Sequence, residues 1–236
     1  MRLGKLCVAI LLVLMAPWPV KSTTGSGAVT GKVTYTGTAA KAEPIDMSKE
    51  PACVKLRAKP LLTEKVVTGP SNTLGNVVVY ISSGADDAPA QEMNEVHFDQ
   101  QDCRYSTHVL AVRVGQNIRF SNNDPFSHNI HPLAKVNREW NRIQPAQTPA
   151  FSYAYDKEEF IPVKCNIHAW MQGYLAVLKT SHFAVTSEDG TFTLPELPPG
   201  KYTLTAWHEV YGTQSREFTI TGSETQTINF LFYAKP

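Results

Sequence analysis

Short runs of alternating apolar and polar residues, broken by Gly, Pro, Asn and Asp, fill most of this 236-residue chain. The run 29–36 alternates and ends at Gly37, which reads as a half-buried strand closing on a turn. Residues 76–81 are β-branched and bounded by Gly75 and Ser82-Ser83-Gly84, again a strand. Further strands are predicted at 95–99, 108–114, 117–122, 159–163 and 174–178, then at 183–186, 191–194, 201–207, 215–221 and 225–233. Residues 39–70 carry scattered charges and Pro44, Pro51 and Pro60, and read as a long irregular connection. Asn122-Asn123-Asp124-Pro125 stops a strand in a loop, because these residues favour turns, and His128 is placed in that loop. Residues 133–147 are polar, with a helical turn predicted near 137–141. No stretch sustains a 3.6-residue apolar period, so the expected class is all-β.

The N-terminus changes the picture of the compartment. A short basic start with Arg2 and Lys5 precedes an apolar run over 6–16. That run is too short for a bilayer span of about 20 residues, and it fits the core of an export signal. Cleavage is expected near Ser22, which makes 1–22 a signal peptide and the protein periplasmic or secreted. Losing Arg2, Lys5 and Lys21 takes the formal charge from +1 to −2. With no basic stripe, nucleic acid is an unsuitable partner, and no later segment is apolar enough to cross a membrane. The linker 85–91 marks a boundary. After residue 178, strand, Asp-Gly turn, strand, Pro-Gly turn and strand describe a small β-sandwich.

Cysteine counting then points to chemistry. Cys7 leaves with the signal, and Cys53, Cys103 and Cys165 remain. An odd count in an exported chain implies one disulfide and one thiol with another role. The reading pairs Cys53 with Cys103 and leaves Cys165 as a ligand.

Cys165 opens the loop Cys-Asn-Ile-His-Ala-Trp-Met, which spaces a thiol, an imidazole and a thioether as C-x2-H-x2-M between two predicted strands. Soft sulfur with imidazole selects copper, and two His with Cys and a weak axial Met form the blue-copper set. The loop supplies His168 and Met171, so a second His must come from elsewhere. Ser127-His128-Asn129-Ile130-His131 offers two. Three residues apart in extended chain they do not face one point, and His128 is preferred to His131. Asn129 is expected to bond across to the Cys165 loop and orient it. Bland readings stand beside these: Met171 as a flexible core filler, and a Cys beside an unrelated His. Pro125, Phe126 and Trp170 are read as an apolar rim at His168, either a docking patch or ordinary burial. His97, His108, His182 and His208 read as strand or turn residues.

At these residues the chain resembles the cupredoxins of the amicyanin type. Cys165, His168, Met171, Gly173 and the run 174–178 match their ligand loop. The Gly-led strand 115–120 and His128-Asn129-Ile130-His131 match their upstream ligand region. The resemblance covers about 95–178. It implies a Greek-key cupredoxin sandwich and a type 1 copper site with His128, Cys165 and His168 equatorial and Met171 axial. It also implies His168 as the more exposed ligand and electron port, with a redox partner docking near it. Phe160-Ile161-Pro162-Val163-Lys164 departs from the Tyr-rich run usual there.

The flanks resemble carboxypeptidase regulatory-like, or transthyretin-like, β-sandwich domains, through 183–207 and through 31–37 with 76–81. The implied organisation is a signal (1–22), a first sandwich part (28–84), a copper unit (92–178) and a second sandwich part (180–236). Exported proteins of this mixed type are sometimes labelled methylamine utilization proteins. The expected function is an electron carrier, copper cycling between Cu(I) and Cu(II), and not an enzyme. The rival is a copper-holding or carbohydrate- or protein-binding module, favoured if Tyr202 or Trp207 lies on an exposed sheet face.

Overall fold

A computed structural model describes residues 25–38, 42–85 and 93–233. The expected signal (1–22) and most of the predicted linker lie outside the described residues. The chain opens with β1 (Gly27–Thr36), a short helix α1 (Pro51–Leu56), β2 (Thr68–Gly69), β3 (Thr73–Leu74) and β4 (Val78–Ser83). Nine strands follow: β5 (Val96–Gln101), β6 (Arg104–Tyr105), β7 (Val109–Arg113), β8 (Ile118–Asn122), β9 (His128–Pro132), β10 (Arg142–Gln144), β11 (Phe151–Tyr153), β12 (Glu159–Lys164) and β13 (Gln172–Leu178). The last are β14 (Phe183–Val185), β15 (Thr191–Leu197), β16 (Gly200–His208), β17 (Gly212–Ile220), β18 (Thr225–Thr227) and β19 (Phe230–Tyr233). The protein is all-β; among the described residues the exceptions are one short helix and a single 3-10 turn.

These strands form four sheets. One has the order β15-β1-β3-β2, with β18 and β19 running parallel to β1, and a second has the order β14-β4-β16-β17. Val29, Val33, Leu74, Val79, Leu194, Leu204, Phe230 and Phe232 lie buried in one cluster drawn from both. The alternation of apolar residues along these strands puts one face of each sheet into that core. The other two sheets, β10-β9-β12-β13-β7 and β11-β8-β5-β6, enclose Phe98, Ile118, Phe120, Ile130, Ile161 and Leu175. The strands of this second pair all fall between β4 and β14 in the sequence. The chain thus starts one sandwich, builds another, and returns to finish the first.

The sandwiches meet through the outer faces of two sheets. Val78, Val109, Ala176 and Leu178 are buried together, with Phe160, Tyr174 and Trp207 packed against them. The Trp207 ring lies 4.4 Å from Phe160 and 5.2 Å from Tyr174. Buried His108, just before β7, bonds to Glu209, just after β16, across the same seam.

Several local expectations need correction. His128 starts strand β9 instead of lying in a loop. The helical turn predicted near 137–141 is absent: the chain bends over 135–137, where the Glu159 carboxylate accepts the backbone N–H of Lys135, Val136 and Asn137, and is irregular over 138–141. The connection 39–70 contains α1, which no period revealed because a helix of under two turns buries only Cys53. The predicted strand 225–233 is split in two. Ile228 at the break sends its carbonyl so close to Gly31 of β1 that a Cβ there would meet the oxygen at 1.9 Å.

Candidate metal centre

The candidate donors come from two neighbouring places in the central sandwich. Strand β9 pairs antiparallel with β12 through His131 opposite Lys164, which carries the start of β9 past the end of β12 and alongside the loop that follows it. The β12–β13 connection then folds back on itself. Cys165 donates its backbone N–H to the Met171 carbonyl at 3.0 Å, and Met171 donates to the His168 carbonyl at 3.0 Å. The His168 backbone N–H points at Cys165 Sγ from 3.4 Å. Asn129 Oδ1 accepts the Asn166 N–H at 2.7 Å, so it ties β9 to the loop residue after Cys165.

This folding gathers three donors. One ligand atom each from His128, Cys165 and His168 lies within 4.8 Å of the others. Nδ1 of His128 and Nδ1 of His168 are 2.9 Å apart, and Cys165 Sγ is 3.9 Å from His168 Nδ1. Two bare nitrogen lone pairs at that separation repel, so the arrangement requires either a proton on one ring or a cation between them. His128 is 0% exposed, Met171 1%, Cys165 2% and His168 3%. Met171 packs in the same apolar cluster as Cys165. A thiol, two imidazoles turned nitrogen-first toward it and a buried thioether close by form a soft donor set suited to copper or zinc. The residues therefore fit a transition metal.

The surroundings favour the ligand forms of Cys165 and His168 and the protonated form of His128. Burial pushes the Cys165 thiol up, but the adjoining His128 imidazole and backbone N–H groups including that of His168 outweigh it and hold the thiol below its ordinary range. Burial opposes charge on His128 too, yet Asp124 and Cys165 beside it raise its affinity for a proton. Burial, followed by the nearby charge of His128, lowers that of His168.

His131 turns away from this group and bonds to Asn166 and, at 2.8 Å, to Glu139. His168 is the ligand expected to be the more exposed. It is the least buried of the four, but the Cys53–Cys103 disulfide covers it, with Cys53 Sγ 3.7 Å from His168 Nε2. Met47, Cys53 and Leu61 pack with Cys103 over Phe126 and Trp170, whose rings lie 6.3 and 5.1 Å from that of His168. Phe126 and Trp170 of the expected rim are thus half-buried beneath the 45–62 segment, while Pro125 stays exposed.

One neighbour was not singled out in the sequence. Asp124, 4% exposed, places Oδ2 2.6 Å from His128 Nε2. The only sequence signal for it was its place four residues before His128, in a stretch read as a turn.

Residues 173–232 match the family model of the carboxypeptidase regulatory-like domain. The structure puts residues 173–178 of that match in β13, within the central sandwich, and supplies the outer sandwich with β1 and β4 from upstream. Among solved structures the chain is similar to a reduced Cu(I) form of amicyanin at pH 4, at 24% identity and TM-score 0.32, covering 42% of this chain and 97% of that one. An oxidised amicyanin variant matches with the same identity, TM-score and coverage. The Cu-containing nitrite reductase NirK from Thermus scotoductus matches at 22% identity and TM-score 0.31, over 39% of this chain and 24% of that one. No curated protein sequence matches the chain.

Proposed function

We propose that this is an exported type 1 copper protein that carries single electrons and turns over no substrate. The observation that carries the reading is the buried convergence of His128 Nδ1, His168 Nδ1 and Cys165 Sγ on one point. Bound copper would supply one-electron exchange between Cu(II) and Cu(I). His128, Cys165 and His168 would hold it, together with the thioether of Met171. Asn129 fixes the Cys165 loop against β9, and the apolar surroundings exclude water, so the donors keep one arrangement in both oxidation states. Export is supported by the basic and apolar N-terminus and by a disulfide, which belongs to oxidising compartments. A redox partner would act across the cover at His168, by exchange at a distance.

That cover favours a second reading, in which the protein holds copper without passing electrons on. A sugar-binding role for the outer sandwich has less support. Tyr202 is 4% exposed in its core and Trp207 packs on the central unit.

The test is a visible absorption spectrum of the mature protein titrated with Cu(II), repeated on Cys165→Ser. An intense thiolate-to-copper band that the variant lacks is the expected result. Absence of the band in the wild type would sink the electron-carrier reading. With the band present, reversible voltammetry separates carrying from holding.

A further inference from the structure

Asp124 is held by three donors at once. Its Oδ1 accepts the backbone N–H of Asp102 at 2.7 Å. Its Oδ2 accepts the N–H of Cys103 at 2.8 Å and faces His128 Nε2 at 2.6 Å. Asp102 and Cys103 form the two-residue turn between β5 and β6, with φ of 54° and 56°. Positive φ at both positions is the mark of a tight hairpin turn, and here it aims two successive N–H groups at one carboxylate. The same turn is tied down elsewhere. Trp170 Nε1 donates to the Cys103 carbonyl at 2.9 Å, Arg57 donates to that of Asp102 at 3.0 Å, and the Cys103 sulfur is bonded to Cys53.

An ionised carboxylate is an acceptor at both oxygens, so it satisfies all three donors; an amide would turn an NH2 group toward one of them. With Oδ2 accepting from Nε2–H, the His128 ring keeps its proton on the far nitrogen. Its Nδ1 lone pair is then left toward Cys165 and His168. A carboxylate behind a ligating imidazole also makes the ring a stronger donor.

We infer that Asp124 is the positioning residue of the metal centre: it fixes the tautomer and orientation of His128, and its negative charge favours Cu(II) over Cu(I). This rests on the copper reading for its second half only. A buried negative charge one imidazole away from the metal stabilises the more highly charged ion more, because the Coulomb term grows with the product of charges.

Two measurements test it. The first is long-range 15N–1H NMR of metal-free wild type at alkaline pH, where the expected result is a His128 proton on Nε2 and none on Nδ1. The second is the copper potential of Asp124→Asn against wild type. The Cu(II)-to-Cu(I) affinity ratio is expected to fall at least about tenfold, a rise of 59 mV for a one-electron couple. A proton on Nδ1 in the wild type overturns the inference, and so does a blue variant with an unchanged potential. That second result is what a purely structural role in the hairpin would give. If Asp124→Asn does not fold, the wild-type tautomer decides alone. If wild type gives no thiolate band, the copper reading fails while the tautomer still tests the placement of His128.

Discussion

Each sandwich buries one histidine completely, and the two are held in opposite ways. His128 of the central sandwich and His208 of the outer one are both 0% exposed. His128 has Asp124 at its Nε2 and Cys165 nearby, and its proton affinity is raised despite burial. Nε2 of His208 has no hydrogen-bond partner among the described residues, while Nδ1 accepts from the backbone of Val210 and Tyr211. Burial, with His108 nearby, takes its pKa down to about 4. Burial alone is thus a poor guide to what a histidine does. Its partners decide, and they separate a core histidine from a ligand. Around them the outer sandwich buries threonines such as Thr73, Thr186 and Thr205 beside its apolar core, whereas one end of the central sandwich buries the larger polar groups Gln100, Asn122, Asp124, Asn129 and Gln144. These polar groups bond to one another or to backbone, as at Gln100–Gln144 and Asn122–Phe126. Such a network fixes positions at the expense of apolar burial.

The largest effect is expected where the polar end is fastened. The double variant Cys53→Ser with Cys103→Ser opens a crosslink spanning 50 residues. It should lower the unfolding free energy by about 4 kcal/mol, as the entropy of an open loop that size implies; urea titration measures this. Diethylpyrocarbonate should then modify His168 faster while His208 stays protected. Unchanged protection of His168 would show that the cover holds without the disulfide.

The next effect breaks the other histidine. Below pH 6.5 the unfolded chain binds a proton at His208 that the folded chain refuses until about pH 4. The stability associated with neutral His208 is therefore complete above pH 6.5 and is lost as pH falls through that window. The loss is roughly 3 kcal/mol at about 1.4 kcal/mol per pKa unit. In His208→Asn, which keeps an acceptor for Val210, the unfolding free energy should depend less steeply on pH between those limits. An unaltered slope would assign the acid sensitivity to other groups.

The smallest effect should come from His131→Gln. Removing its contacts to Asn166 and Glu139 is expected to cost less than about 1 kcal/mol, in line with exposed pairs, and to leave the copper spectrum unchanged. Loss of the thiolate band would transfer the ligand role from His128 to His131.

Much of the strand pattern was legible because alternation with period two is a local property. The edges were less so. Three-residue β10 carries an exposed Ile143 and a buried Gln144, so it shows no apolar stripe to read. The preference for His128 over His131 was argued from a loop, yet the firmer reason is strand parity. In β9, residues 128 and 130 are fully buried, and residue 131 projects to the other face.

By itself the sequence determined the thiol–imidazole–thioether loop, its flanking strands and the mostly apolar faces of the sheets, since each depends on residues close together in the chain. Only the tertiary structure decided what surrounds the donors. The disulfide segment that covers His168 comes from more than 100 residues upstream. The hairpin N–H groups that orient Asp124 come from a different strand pair. Contacts of that separation leave no period in the chain, because they are set by how sheets pack and not by how a strand alternates.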